Sequence, residues 1–119
     1  MGKHNEFGKK GEELAVRFLT EKGYLIKCTN YRYLKAEIDI IAEKGDILAV
    51  VEVKSRSSTL FEHIAETVTK AKIKRLVMAA DYYVLTHDLD REVRFDIITI
   101  RKDKGSFEIE HLENAFYHF

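Results

Sequence analysis

The sequence has 119 residues, of which 45% are hydrophobic and 34% are charged. This length suits one domain, residues 1–119, with a core of its own, and the composition argues against extended disorder. Twenty Lys and Arg residues balance twenty Asp and Glu residues, so a formal net charge of zero excludes a global field that would attract nucleic acid or anionic lipid. Any such binding must come from a local patch of charge.

The single cysteine, Cys28, excludes a disulfide within the chain and is typical of a reducing compartment. The N-terminal stretch lacks the apolar run of a signal peptide, and no segment approaches the roughly 18 consecutive apolar residues of a membrane span. We therefore expect a cytoplasmic protein without a membrane partner. The five histidines show no ligand spacing, and the sequence has no glycine-rich phosphate loop and no G-x-S-x-G motif. A zinc site and those enzyme classes are not expected.

The first predicted element is a helix in NEFGKKGEELAVRFLTEKGY, where apolar residues recur with helical spacing up to Gly23. Three strands follow in YLIKCTNYRYL, AEIDIIA and DILAVVEVKS, and the last two are joined by the tight EKG connection of a hairpin. A second helix is predicted from about Leu60 to Leu85, because apolar residues share one face there. EVRFDIITIRK and SFEIEHLE then form a second strand pair around DKG.

The order α-β-β-β-α-β-β predicts an α/β fold with a mixed central β-sheet flanked by helices. The third strand is apolar on both faces over residues 47–51, which is typical of a central strand. Glu52 and Lys54 follow on the face of Leu48 and Val50, so they lie at the end of the core strand. Charges in such a place are costly unless they find partners or a function.

Four charges are concentrated on the predicted hairpin of the second and third strands. Glu37 and Asp39 share one face of their strand, as do Glu52 and Lys54. Mg²⁺ takes oxygen ligands, often only one or two protein carboxylates, with water and substrate phosphate completing the shell. Asp39 and Glu52 are sufficient for that, and Lys54 would then orient the attacking water.

The reaction that fits this pattern is hydrolysis of a phosphodiester. Two features favour it, the position of the E-x-K triplet after an apolar run and the aspartate embedded in the preceding strand. The alternative is a surface ion pair between Glu52 and Lys54 at a strand end, worth about 0–1 kcal/mol. For Asp39 the alternative is a turn cap, but Ile38 and Ile40 around it favour a strand.

Several segments resemble successive blocks of the YraN family of uncharacterised bacterial proteins, namely GKKGEELAVRFL, GYLIKCTNYR, AEIDIIAEKGDILAVVEVKSRSS, VTKAKIKRLVMAADYY, RFDIITI and the closing HLENAF. The resemblance implies the restriction-endonuclease-like fold of PD-(D/E)xK nucleases, with distant similarity to Holliday junction resolvases. It makes Asp39 and Glu52 the acids of the motif and Lys54 its lysine. Glu12 matches an acid of the first helix that joins the metal site in resolvase-like members, and Glu37 matches a supporting acid. The implied cofactor is Mg²⁺ or Mn²⁺.

The sequence departs from the family pattern at two positions. Ala36 stands where the family usually has glycine, so a positive φ there would require a different turn into the strand. Ile38 stands in place of the proline of the motif's name. Without the resemblance, Glu12 and its neighbour Glu13 would be explained by the dipole of the first helix, and Asp96 by pairing with Arg94 or capping of a backbone amide.

The densest basic group follows the motif and continues along the second helix, and it consists of Lys54, Arg56, Lys70, Lys72, Lys74 and Arg75. Contact with a phosphate backbone and an ordinary solvated helix face both explain it. The resemblance favours Lys72 and Arg75 as phosphate contacts, with Arg56 and Lys70 beside them. Tyr31 and Tyr33 are candidates for stacking on unpaired bases, although alternating aromatic residues also suit a sheet surface or core.

These patterns together predict a Mg²⁺- or Mn²⁺-dependent nuclease acting on nucleic acid, DNA rather than RNA, including branched or repair-intermediate DNA by fold analogy. One alternative is a nucleic-acid-binding module that cleaves nothing, and another is a protein-interaction adaptor in which the charges are structural. The zero net charge predicts modest nucleic-acid affinity. The aromatic tail, with Phe116, Tyr117 and Phe119, is either a homodimer contact or docks on the chain's own core.

Overall fold

The computed structural model describes residues 3–56 and 69–116. The elements, in chain order, are α1 (Lys3–Glu21), β1 (Leu25–Tyr33), β2 (Ala36–Lys44), β3 (Ile47–Arg56), α2 (Lys70–Thr86), β4 (Glu92–Asp103) and β5 (Ser106–Leu112). The predicted α/β class and the order α-β-β-β-α-β-β are confirmed. Within these residues, no helix is both long enough and apolar enough to cross a membrane.

The five strands form one sheet in which they lie in sequence order, β1 to β5. β3 and β4 pair in parallel, and the other neighbours pair antiparallel. A parallel pair requires a long crossover connection, and α2 lies within it. β3 is central, as its two apolar faces predicted.

The two helices cover opposite faces of this sheet. On one face, Leu76 of α2 belongs to a buried cluster with Leu48 and Val50 of β3. On the other face, Leu19 of α1 belongs to a second cluster with Val51. Glu52 continues β3 on the α2 face and therefore lies where the core meets the surface.

Helix α2 begins at Lys70, so the prediction of one helix from about Leu60 was wrong. Thr69 has an extended backbone, with φ −69° and ψ 159°, and its hydroxyl accepts a hydrogen bond of 3.1 Å from the amide of Lys72. This is an N-cap, which satisfies an amide that the first turn leaves unpaired. Residues 57–68 lie outside the described part of the chain.

The turn between β1 and β2 has its positive φ at Leu34, with φ 56°, and not at Ala36. Ala36 is buried at the start of β2, within the cluster under α2. A left-handed backbone costs a non-glycine residue roughly 1–2 kcal/mol, so this turn stores a small amount of strain. Position 36 therefore does not require a glycine in this structure.

The start of the aromatic tail docks on the chain's own core. Phe116 is buried against Phe95, with ring centroids 5.4 Å apart. The amide of Ala115 donates a hydrogen bond of 2.8 Å to the carbonyl oxygen of Phe95. Of the two alternatives for the tail, docking holds for Phe116, and Tyr117 and Phe119 lie outside the described residues.

Candidate active site

The strands β2 and β3 cease to pair at Asp39. Their registered partners end at Ile40 and Val51, although both strands continue beyond that point. Oδ2 of Asp39 accepts a hydrogen bond of 2.8 Å from the amide of Val53. The carboxylate thus stands in for a backbone acceptor where the two strands diverge, and Asp39 lies within a strand, as its isoleucine neighbours predicted.

Glu52 is a buried carboxylate whose partners, within residues 3–56 and 69–116, contact one of its two oxygens. Its Oε1 accepts a hydrogen bond of 2.7 Å from Nζ of Lys72, and Nζ of Lys54 lies 3.6 Å from the same oxygen. Its Oε2 is buried and has no hydrogen-bond partner among the described residues. An unsatisfied buried carboxylate oxygen is costly, so this atom retains the capacity to bind a cation or a proton donor.

The ionisation of Asp39 is opposed by its surroundings. Burial raises the pKa of Asp39 to about 7, and the nearby charge of Glu52 adds to the rise. The hydrogen bond from Val53 and the charge of Lys72 oppose it, whereas the charge of Glu12 adds to it. Two carboxylates in this relationship form a site that a divalent cation would neutralise.

Lys72 brings a positive charge to the site from α2. Burial disfavours its charged form, but the hydrogen bond to Glu52 and the charge of that residue outweigh burial, so the pKa of Lys72 is raised. It therefore remains an ammonium at neutral pH. Lys72 is predicted from the sequence as a phosphate contact, and the structure places it against the acid of the E-x-K triplet.

Glu12 reaches the same region from the opposite face of the sheet. Nδ2 of Asn30 donates hydrogen bonds to Oε1 of Glu12, at 2.9 Å, and to Oε1 of Glu37, at 3.0 Å. Arg32 lies 3.4 Å from the other oxygen of Glu37. Glu12 is therefore linked through Asn30 to Glu37. Glu37 contacts two residues of β1, Asn30 and Arg32.

Asn30 was not predicted from the sequence as a site residue. It has a φ of 53°, and asparagine is one of the few residues that tolerates this backbone. Both hydrogens of its amide group are used on the two glutamates. The one signal for this role in the sequence was the presence of an asparagine within a predicted strand.

Gly11 was also missed, and it determines how closely α1 approaches β3. A side chain at this position would clash with Oγ of Ser55. The close contact places Glu12, the next residue of α1, beside the strand that carries Lys54. The sequence signal for this close contact was a glycine inside a predicted amphipathic helix.

The remaining basic candidates lie along the same side of the molecule or outside its described part. Lys70 and Arg75 are exposed on α2. Arg56 ends β3, and its side chain lies outside the described residues. The structure thus brings together Asp39, Glu52 and two lysines, while Lys70 and Arg75 extend the positive charge outward along the helix.

The donor set can be compared with the needs of particular metals. Within the described residues, no three His, Cys, Asp or Glu side chains form a group that could hold a metal ion. Mg²⁺ and Mn²⁺ favour carboxylate and water ligands, and Mg²⁺ often takes only one or two protein carboxylates. Asp39 and Glu52 fit such an ion, and Oε2 of Glu52 has no partner in the described part of the chain. The two acids do not provide the closed shell of a structural zinc site.

The second buried carboxylate, Asp96, has partners on both oxygens. Arg94 donates to both, at 2.9 and 2.8 Å, His111 donates at 2.7 Å, and the amide of Asn114 donates at 3.0 Å. Burial opposes ionisation, but these hydrogen bonds outweigh it and lower the pKa of Asp96. The prediction that Asp96 pairs with Arg94 or caps an amide is confirmed in both forms, so this acid is structural.

The fold and the site define an α/β protein whose five-stranded mixed sheet carries an aspartate and an E-x-K triplet where two strands diverge. Residues 11–100 match the model of "Uncharacterised protein family UPF0102". The chain is 55% identical to a UPF0102 protein of Flavobacterium psychrophilum and 51% identical to one of Christiangramia forsetii, in both cases over the full length of both chains. It is 50% identical to a UPF0102 protein of Bacteroides thetaiotaomicron, over 98% of this chain and 97% of the relative. The chain belongs to the family UPF0102, which confirms the resemblance to YraN proteins.

Proposed function

We propose that this protein is a Mg²⁺- or Mn²⁺-dependent nuclease that hydrolyses phosphodiester bonds in DNA. The observation that carries this proposal is the pairing of Asp39 with Glu52, in which one buried carboxylate oxygen has no partner among the described residues. The two lysines beside these acids support it, because a phosphodiester gains negative charge in the transition state. The resemblance to PD-(D/E)xK nucleases points to the same residues.

Each residue has a role in this proposal. Asp39 and Glu52 would hold the cation, and Glu12 would assist from α1. When bound, the cation would lower the pKa of a bound water and stabilise the charge that develops on the phosphate. Lys54 would orient the attacking water, and Lys72 would contact a phosphate oxygen. Further phosphate contacts would come from Arg56, Lys70 and Arg75.

DNA is favoured over RNA by the family resemblance, which also suggests branched or repair-intermediate DNA. A cytoplasmic location suits the single cysteine, Cys28.

The second candidate function is a nucleic-acid-binding module without catalysis. One observation favours it, the distance of 2.7 Å between Nζ of Lys72 and Oε1 of Glu52. A lysine in this position already supplies a cation to the carboxylate, so the site is partly neutralised by the protein's own charge. In this case the cluster would orient basic residues toward a phosphate backbone.

The test is cleavage of labelled DNA single strands, duplexes, flaps and four-way junctions with Mg²⁺, Mn²⁺ or chelator. Wild type is compared with Asp39→Asn, Glu52→Gln and Lys54→Ala. Glu43→Gln is the matched control, because Glu43 is a partly buried acid of β2 that pairs with Arg91 instead. A nuclease requires metal-dependent cleavage that all three site variants lose and the control retains.

The other outcomes separate the alternatives. Salt-dependent binding that is unchanged by Asp39→Asn, with no cleavage by wild type, would establish the binding module. The absence of salt-dependent binding would support the protein-interaction adaptor. Cleavage that survives in all three site variants would identify a contaminant.

A further inference from the structure

A concave surface lies between α2 and the turn that joins β1 to β2. It encloses about 410 Å³ and is lined by Tyr33, Leu34, Lys35, Ala36, Arg75 and Met78. We refer to these six residues as the tyrosine groove. Leu34 and Met78 are 78% and 45% exposed, respectively. Apolar side chains gathered at a concave surface are typical of a contact with a ligand.

The aromatic side chain of the tyrosine groove is held in a defined orientation. The ring of Tyr33 stacks on that of Tyr82, with centroids 4.3 Å apart and an interplanar angle of 24°. Tyr31 instead meets the buried ring of Tyr83 edge-on, with centroids 5.2 Å apart. Of the two tyrosines that the sequence suggested for base stacking, Tyr33 lines a groove and Tyr31 packs on the core.

The charge of the tyrosine groove is complementary to a nucleic acid. Its two charged residues, Lys35 and Arg75, are both cationic. Each base presents a flat apolar face, and each nucleotide carries a negative phosphate. An apolar groove with an aromatic wall and cationic side chains matches both features.

The position of the groove connects it to the candidate active site through two elements. Arg75 follows Lys72 by three residues of α2, a rise of about 4.5 Å along the helix. Ala36 precedes Asp39 by three residues of β2, or about 10 Å. The groove is therefore within reach of a nucleotide next to one bound at Asp39 and Glu52.

We propose that the tyrosine groove binds one unpaired nucleobase, while Arg75 contacts the phosphate of that nucleotide. A base inside a duplex is stacked on both sides and cannot enter such a groove. The substrate class is therefore DNA with at least one unpaired nucleotide next to the phosphodiester at the carboxylates. The part of this inference that concerns cleavage rests on the proposed function, whereas base binding stands independently of it.

The test measures binding by fluorescence anisotropy, with chelator present to prevent cleavage. Three labelled DNAs are compared, a fully paired duplex, the same duplex with one unpaired nucleotide, and that second DNA with an abasic residue in place of the unpaired nucleotide. The abasic DNA keeps every phosphate and lacks only the base. Base stacking on an aromatic side chain predicts that wild type binds the unpaired nucleotide about 10-fold more tightly than either other DNA.

The variants separate the base from the phosphate. Tyr33→Ala and Met78→Gln should lose the preference for the unpaired base, whereas Tyr33→Phe should keep it. Leu25→Ala is the matched control, because Leu25 is 61% exposed on β1 and does not line the groove. Arg75→Ala should weaken binding of all three DNAs and reduce the salt dependence of binding by about one phosphate contact.

Met78→Gln is included because it should fold even if Tyr33→Ala does not. Met78 is exposed on a helix, and glutamine has a high helix propensity. Equal affinity for the unpaired and abasic DNAs would overturn the proposal, as would a preference that persists in both Tyr33→Ala and Met78→Gln. Self-association that Met78→Gln abolishes, without any base preference, would assign the groove to a second copy of the chain and also overturn it. Cleavage without base preference would overturn only the groove, and base preference without cleavage would overturn only the nuclease.

Discussion

Lys72 and Glu52 form an ion pair between the first turn of α2 and the part of β3 that follows its last registered pair with β2, with 2.7 Å between Nζ and Oε1. The lysine thus contributes a positive charge where the proposed function requires a divalent cation. A bound cation and Lys72 would both interact with the carboxylate of Glu52. The two positive charges would repel each other, so the charge of Lys72 would weaken cation binding. Substrate phosphate would offer Lys72 a second anionic partner.

Lys72→Met should therefore tighten Mn²⁺ binding while lowering stability in chelator. Removing one partner of a fully buried ion pair costs about 3–5 kcal/mol, but the side chain of Lys72 is 37% exposed, so we expect about 1–2 kcal/mol. Urea unfolding in chelator and titration with Mn²⁺ measure the two effects. Lys74→Met, on an exposed position of α2, is the control. Equal effects of the two substitutions would show that the ion pair has no special role.

Asp39→Asn should stabilise the protein at high pH. Because the folded-state pKa of Asp39 is raised to about 7 from 3.8, the folded protein binds more protons than the unfolded chain between these values. Wild-type stability therefore falls as pH rises through this window. With about 1.4 kcal/mol per pKa unit, the variant should gain as much as about 4 kcal/mol at pH 8 and nothing below pH 4.

Thermal unfolding across this pH range, with chelator present, measures that difference. Asp81→Asn, at an exposed acid of α2, should not show it. Mn²⁺ should then raise the melting temperature of wild type more than that of Asp39→Asn, because the ion binds the folded protein through this carboxylate. A constant difference at every pH would contradict the raised pKa.

Asp96→Asn should have the opposite pH dependence. The pKa of Asp96 is lowered, so its contribution to stability is present above the unfolded value of about 3.9 and is lost as pH falls through the folded value. The substitution leaves the partly buried Arg94 without the charge of Asp96, so we expect a loss of about 3 kcal/mol at pH 7 that shrinks at low pH. Glu108→Gln, which removes an exposed partner of Arg101, should cost less than about 1 kcal/mol. Cleavage per folded molecule should be unchanged in both variants.

Two substitutions of Asn30 should distinguish the effect of its side-chain hydrogen bonds from the effect of its backbone conformation. Asn30→Gly keeps access to the φ of 53° but removes the bridge between Glu12 and Glu37. Asn30→Ala removes the bridge and also strains the backbone, which adds roughly 1–2 kcal/mol of destabilisation. We expect both variants to lose the same fraction of metal-dependent activity, while only Asn30→Ala unfolds at clearly lower urea. Full activity in Asn30→Gly would show that Glu12 needs no positioning by this amide.

Local patterns in the sequence predicted the order of the elements and the hairpin of β2 and β3. The two-residue period of a strand also placed Lys54 beside Glu52, and Nζ of Lys54 lies 3.6 Å from Oε1 of Glu52. The missed features depend on residues from distant parts of the chain. The amide of Asn30 meets Glu12 from another element, and Gly11 matters only because Ser55 lies against it. Thr69 is a residue type that favours the N-cap position. The sequence pattern extended the predicted helix across Thr69 to about Leu60, so the start of α2 was missed.

The hydrogen bond from the Val53 amide to Asp39 also makes the backbone a sensor of the site. Val53 lies beyond the last registered pair of β2 and β3, so its amide on that side is held by a side chain. A hydrogen bond to a carboxylate is stronger than one to the protonated acid. Deuterium uptake at Val53, corrected for the intrinsic pH dependence of exchange, should therefore reveal the ionisation of Asp39. A single amide would thus report proton occupancy without any substitution or substrate.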